Sequence, residues 1–180
     1  YKQVIKSYTQ VGGDVGGTSY VGGFAGINDA LGIITIPVIS GSYATFAGEV
    51  YGTGLYVGGL VGYNEGSISN AYVRSVSGDV SGTSQVGGIV GANIGKIAHS
   101  YAALDDVVGT GAFVGGLVGE STVLAGEIKY SFVVLDVSGN SAGVANVGQL
   151  YADVYTLTDV TIGNYYSSFT SCIDATPLSC

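Results

Sequence analysis

One short string returns along this chain at nearly even intervals, and that recurrence restricts the fold more than any other feature. Tyr20-Val21-Gly22-Gly23-Phe24-Ala25-Gly26-Ile27-Asn28 comes back as Tyr56-Val57-Gly58-Gly59-Leu60-Val61-Gly62-Tyr63-Asn64 and as Gln85-Val86-Gly87-Gly88-Ile89-Val90-Gly91-Ala92-Asn93. Phe113-Val114-Gly115-Gly116-Leu117-Val118-Gly119-Glu120-Ser121 is a further copy, and Asn146-Val147-Gly148-Gln149-Leu150 is a decayed one. The leading valines stand at 21, 57, 86, 114 and 147, so the steps are 36, 29, 28 and 33. A unit this short cannot bury its own apolar face, so neighbouring copies must stack to share a core.

A second block follows the first. After Asn64 comes Glu65-Gly66-Ser67-Ile68-Ser69-Asn70-Ala71-Tyr72, and after Asn93 comes Ile94-Gly95-Lys96-Ile97-Ala98-His99-Ser100-Tyr101. Gly126-Glu127-Ile128-Lys129-Tyr130-Ser131-Phe132 repeats it after an insertion, while Ile5-Lys6-Ser7-Tyr8 and Ile162-Gly163-Asn164-Tyr165-Tyr166 read as partial copies at either end. The combined pattern, V-G-G-[LIF]-[VA]-G-x-N and then x-G-x-I-x-x-[SA]-[YF], resembles the GLUG repeat of bacterial surface proteins. The units at 57–72 and 86–101 match closely; Glu120-Ser121 and Gln149 depart from the pattern. The resemblance implies an adhesin-like surface protein, or an accessory region of a larger secreted protease lying outside its catalytic domain.

The repeat predicts an all-β chain: a parallel β-solenoid of about five units, near 20–56, 57–85, 86–113, 114–146 and 147–171, with a tail at 172–180. An antiparallel sandwich or barrel of hairpins is the alternative. Read as one strand, Val57-Gly58-Gly59-Leu60-Val61-Gly62 alternates between two faces. Stacking then places Val57, Val86 and Val114 in one apolar ladder and Leu60, Ile89 and Leu117 in another. The paired glycines Gly22-Gly23, Gly58-Gly59, Gly87-Gly88 and Gly115-Gly116 offer a bare surface that Tyr72, Tyr101 and Phe132 are placed to cover. Asn64 and Asn93, each followed closely by glycine, are expected at positive φ in a turn. Three short strands and three corners per coil, at about 4.8 Å per rung, give a right-handed stack about 25 Å high.

Composition agrees. Gly accounts for 32 of 180 residues and charged residues for 10%, against 47% hydrophobic ones, which is too apolar for disorder. A net charge of −8 excludes a phosphate-contacting surface, so no nucleic-acid partner is expected. No apolar run approaches the ~20 residues of a spanning helix, so no membrane insertion is expected. Cys172 and Cys180 are the two cysteines; their shared position near the C-terminus suggests one local disulfide, with free thiols or an intermolecular link as the other readings. A chain that opens on Tyr1 reads as a processed mature protein or an excerpt.

Material for catalysis is scarce. His99 is the sole histidine and fills the slot of Asn70, so it reads as a repeat position. No nucleophile elbow or phosphate-binding glycine loop occurs, and the chain is expected not to be an enzyme. Asp79, Asp105 and Asp136 fall at corresponding places and suggest an acidic ladder, either a solvated corner or a Ca²⁺ site; no other cofactor or metal is expected. Among 14 tyrosines, Tyr51, Tyr63, Tyr165 and Tyr166 are candidate binding residues, because Tyr offers rigid contact area. Together these features predict an extracellular or cell-surface structural protein. It would associate with itself into a fibre through the solenoid ends, or bind a host or matrix glycan or protein.

Overall fold

Paired glycines and small polar turns cut the β-branched runs into strands of mostly two to four residues; Tyr101–Gly109 and Phe132–Gly139 are longer. The computed structural model describes residues 2–29, 36–121, 127–139, 147–148, 151–154 and 165–167, with side chains at 2–29, 36–121 and 127–133. One turn of the coil runs through Leu55–Gly58, Val61–Asn64, Ser67–Ser69, Tyr72–Ser75 and Val80–Gly82. Each of these pairs in parallel with its counterpart in the coils before and after, giving four stacked sheets. Val57 lies between Val21 and Val86, Ile68 between Ile39 and Ile97, and Val80 between Val50 and Val107. The fold is a parallel β-solenoid. All pairings among the described residues are parallel, so the hairpin alternative does not apply.

Two expectations about the coil change. It carries five short strands rather than three, and Val57–Gly62 is not one strand. Gly59 and Leu60 form a corner, with Leu55–Gly58 in one sheet and Val61–Asn64 in the next. Burial explains the break: Val57, Leu60 and Val61 are all 0% exposed. A straight strand turns consecutive side chains to opposite faces, so it could not bury residues 60 and 61 together. The corner also makes both apolar ladders face one interior, where Leu60, Ile89 and Leu117 are fully buried beside Val57, Val86 and Val114. Each such side chain contributes about 1.5–3 kcal/mol relative to exposure.

Backbone, not aromatic rings, closes on the glycines. A Cβ on Gly58 would stand 2.1 Å from the Val61 carbonyl oxygen, and one on Gly59 would stand 2.3 Å from that of Gly88. The coils pass too closely there for any side chain. Tyr72, Tyr101 and Phe132 therefore do not cover this surface. They stack on one another instead, on the outside of the sheet that holds Tyr72–Ser75.

Asn64 and Asn93 are inside the coil, not at left-handed turn positions. Both are fully buried and form an amide column. Asn28 Nδ2 donates to Asn64 Oδ1 at 2.7 Å, and Asn64 Nδ2 donates to Asn93 Oδ1 at 2.7 Å. Asn64 Nδ2 and Asn93 Nδ2 also donate to the carbonyls of Gly66 and Gly95, satisfying the turn that follows. Positive φ falls elsewhere, in two columns of mostly larger residues. Tyr20, Tyr56, Gln85 and Phe113 precede the Val-Gly step; Lys6, Asn70, His99 and Tyr130 precede the aromatic strand, with Gly41 completing the second set. Left-handed backbone costs a side-chain-bearing residue on the order of 1–3 kcal/mol, and stacking in register fixes it here at each coil.

Candidate functional site

The outer surface carries three features built by the same register. The first is an aromatic column. Tyr8, Tyr43, Tyr72, Tyr101 and Phe132 occupy equivalent strand positions. Their rings stack at 5.2, 4.6, 5.1 and 5.0 Å between centroids, with planes within 8° of parallel. Burial raises the Tyr72 phenol above its ordinary pKa, and its neighbours Tyr43 and Tyr101 add to that. Sequence reasoning found the terminal Tyr or Phe of the second block but assigned it to the glycines. The signal was its constant offset from the buried isoleucine four residues earlier, as in Ile68 and Tyr72 or Ile97 and Tyr101.

The four candidate binding tyrosines do not form one site. Tyr51 lies on Val50–Gly52 and is 39% exposed. Its ring covers Gly16 in the preceding coil so closely that a Cβ there would be 2.3 Å from Tyr51 Cζ. Tyr63 lies on a different sheet, at Val61–Asn64. It meets Tyr56 and Tyr20 edge-on at 5.4 and 6.0 Å, and its hydroxyl donates to Glu65 Oε1 at 3.1 Å. Burial, then this Glu65 contact, pushes the Tyr63 phenol up to about 12. In backbone register Tyr165 aligns with Phe132 and Tyr166 with Val133.

The second feature is an acidic column, displaced by one residue from expectation. Asp106, not Asp105, pairs with Asp136, because the register shifts between Ala103 and Asp106. Val80 pairs with Val107 and Val50, and Val50 with Val15. Asp14, Glu49, Asp79 and Asp106 therefore each precede one member of a valine column. Glu49 Oε1 accepts from Ser81 Oγ at 2.5 Å, and Asp14 Oδ1 accepts from the Glu49 amide at 2.9 Å. Among the described residues, no group of three or more His, Cys, Asp or Glu is arranged to hold a metal ion. Burial raises the Asp79 carboxyl above the usual carboxylate range, and the charges of Asp105 and Glu49 add to this. Folded Asp79 thus holds a proton more tightly than unfolded Asp79. Its effect on stability is most favourable at low pH and is lost as pH rises through the raised value. Asp79→Asn is expected to raise the melting temperature at pH 7 and not at pH 3, with the gain shrinking in high salt. A lower melting temperature at pH 7 would contradict the cost of burying the Asp79 charge beside Asp105 and Glu49.

His99 stands in the Asn70 position, at the same φ of 50°, with its ring against Tyr130 at 5.0 Å. Cys172 and Cys180 lie outside the described residues. Among those described, no helix is long and apolar enough to cross a membrane, which leaves β-barrel spanning unaddressed.

The third feature is the edge of the first coil. Val4 pairs with Ile39 in the buried isoleucine column, yet it is 41% exposed where Ile39 is 2% exposed. Tyr8 starts the aromatic column with its outer ring face open and is 62% exposed. Asn28 donates to Asn64, but its own Oδ1 accepts nothing among the described residues. A surface cavity of about 360 Å³ opens beside Val4, Ile27 and Asn28. The strands Gln3–Ile5, Ala25–Asn28 and Val21–Gly22 are the outer members of their sheets.

Residues 53–81 match the family model described as the GLUG motif. No curated protein and no solved structure shows significant similarity to the chain. The matched segment starts just before Leu55–Gly58 and ends within Val80–Gly82, so it spans one turn of the coil. Its valine, isoleucine, asparagine and aromatic columns run on into the coils on both sides. The chain is a β-solenoid carrying the GLUG motif, with that motif as the unit of one coil.

Proposed function

We propose that this chain is a non-catalytic structural module of an extracellular or cell-surface assembly, and that it associates through the ends of its coil stack. The observation that carries this reading is the coil-to-coil continuity of the isoleucine, aromatic and amide columns, a stack that grows by adding strands to the edges formed, among the described residues, by Gln3–Ile5, Val21–Gly22 and Ala25–Asn28. Exposed strand edges template pairing with another chain, and exposed Val4 and Tyr8 add apolar contact. A second copy stacked head to tail would bring the strand position of Tyr165 into register with that of Tyr8.

Glycan capture is the weaker reading for these tyrosines. A sugar stacks on an open ring face. In the aromatic column the inner faces are taken by neighbouring rings, and the Tyr51 ring lies over Gly16. Sedimentation across a dilution series, with negative-stain imaging of the same samples, tests end association. Concentration-dependent linear oligomers are expected, and a monodisperse monomer at every concentration would overturn the reading.

A further inference from the structure

We propose that Tyr8, Tyr43, Tyr72 and Tyr101 form an oxidative cross-linking site, at which neighbouring coils of one molecule become joined by dityrosine bonds. The oxidant is hydrogen peroxide acting through a haem peroxidase. This goes beyond a structural role at the ends and rests on the column alone.

The chemistry needs two phenols whose ring carbons ortho to the hydroxyl can meet. Each tyrosine loses one electron and one proton to give a phenoxyl radical. Two radicals combine through one carbon–carbon bond between their ortho positions, and each ring regains aromaticity by moving the displaced ring hydrogen to its oxygen. The two electrons and two protons reduce one hydrogen peroxide to two waters, so the linked pair is lighter by two hydrogens.

The column supplies this geometry. Tyr43 and Tyr72 stack at 4.6 Å with planes 6° apart, and Tyr72 and Tyr101 at 5.1 Å with 7°. The parallel register Tyr8, Tyr43, Tyr72, Tyr101 copies one residue position from coil to coil. Like carbons therefore face like carbons at about the rung spacing of 4.8 Å. Holding two reactants this way replaces an encounter in solution by a local step, worth effective molarities of about 10⁵–10⁸ M in well-oriented cases. Tyr8 is 62% exposed, which gives an oxidant a point of entry. Phe132 ends the series, because its ring stacks at 5.0 Å yet has no phenol to oxidise. The Tyr20, Tyr56 and Tyr63 group is a built-in comparison. Its ring centroids are 4.9, 5.4 and 6.0 Å apart and its planes lie at 33°, 64° and 85° to one another, so these rings are not stacked in parallel as the column is.

The test treats the full chain with peroxidase and peroxide at a concentration where it is monomeric. Dityrosine fluorescence is then followed, and linked peptides are mapped by mass spectrometry. Intramolecular links of Tyr8 to Tyr43, of Tyr43 to Tyr72 and of Tyr72 to Tyr101 are expected, at a yield independent of protein concentration. Tyr72→Phe keeps a stacking ring, as Phe132 does naturally, and is expected to remove the 43–72 and 72–101 links while keeping 8–43. Circular dichroism of that variant confirms that the stack persists. Links that fall mainly among Tyr20, Tyr56 and Tyr63, links only between molecules, or no links at all would overturn the proposal. None of these outcomes bears on end association, which the dilution series reads separately.

Discussion

Gly58→Ala is expected to unfold the stack or lower its melting temperature by roughly 10 °C or more, while Gly12→Ala leaves it unchanged. A Cβ at Gly58 would stand 2.1 Å from the carbonyl oxygen of Val61, and 2.8 Å from both the Gly91 nitrogen and the Ile89 oxygen. All three are main-chain atoms. The Ile89 oxygen already accepts the Leu60 and Val61 amides, at 3.0 and 2.9 Å. None can swing aside as the end of a flexible side chain would, so relief requires moving a corner that joins two sheets. That is the kind of change that exceeds about 4 kcal/mol, with each kcal/mol worth about 2–4 °C in a domain of this size. At Gly12 nothing lies within 4 Å of the same added atom, and an unobstructed surface change stays within about 0.5 kcal/mol. Thermal melts followed by circular dichroism on both variants decide the matter. Equal melting temperatures would mean that backbone packed on glycine is not what closes the corner.

The same corner marks where the sequence stopped being legible. Recurrence of Val57, Val86 and Val114 and of Leu60, Ile89 and Leu117 named the stacked columns correctly, because stacking in register is the one arrangement that a repeat of this length allows. Recurrence does not say which way a column faces. Alternation in a straight strand put Leu60 opposite Val57, and only the break at Gly59 brings both inside. Asn64 and Asn93 illustrate the same limit. Asparagine followed closely by glycine is a turn signal, and the turn is there, but the amide points inward, where each Asn partners the next. The acidic column was displaced for another reason: the register shift after Ala103 moves Asp106 into line. No spacing rule counts that shift, since Asp105 and Asp106 are adjacent and chemically alike. The aromatic column was legible as a position and illegible as a contact, because ring-on-ring stacking follows from coil spacing, which a single repeat does not contain.

Asn64 carries the second large effect. Asn64→Leu is expected to lower stability severely, although leucine has the same branched set of side-chain heavy atoms and is more apolar. Two groups lose their partner, Asn28 Nδ2 and Asn93 Oδ1, while the Gly66 carbonyl keeps only the Lys96 amide. An orphaned buried donor or acceptor costs about 1–3 kcal/mol, and Asn64 and Asn93 are 0% exposed, so water cannot substitute at their centre. Asn64→Asp separates hydrogen bonding from packing. A carboxylate can still accept from Asn28, but it has no proton for Asn93 Oδ1 and would be a buried charge. Protonated, it donates an O–H and restores the column. Burial therefore raises its folded pKa above the unfolded value of about 3.9. The folded chain then holds a proton that the unfolded chain has released, so the restored stability exists at low pH and is lost as pH rises through the folded value. The melting-temperature gap between the parent chain and Asn64→Asp is expected to be small near pH 4 and large at pH 8. A gap that does not change with pH would mean that the amide column is hydrated, and that the coils are held by their apolar ladders alone.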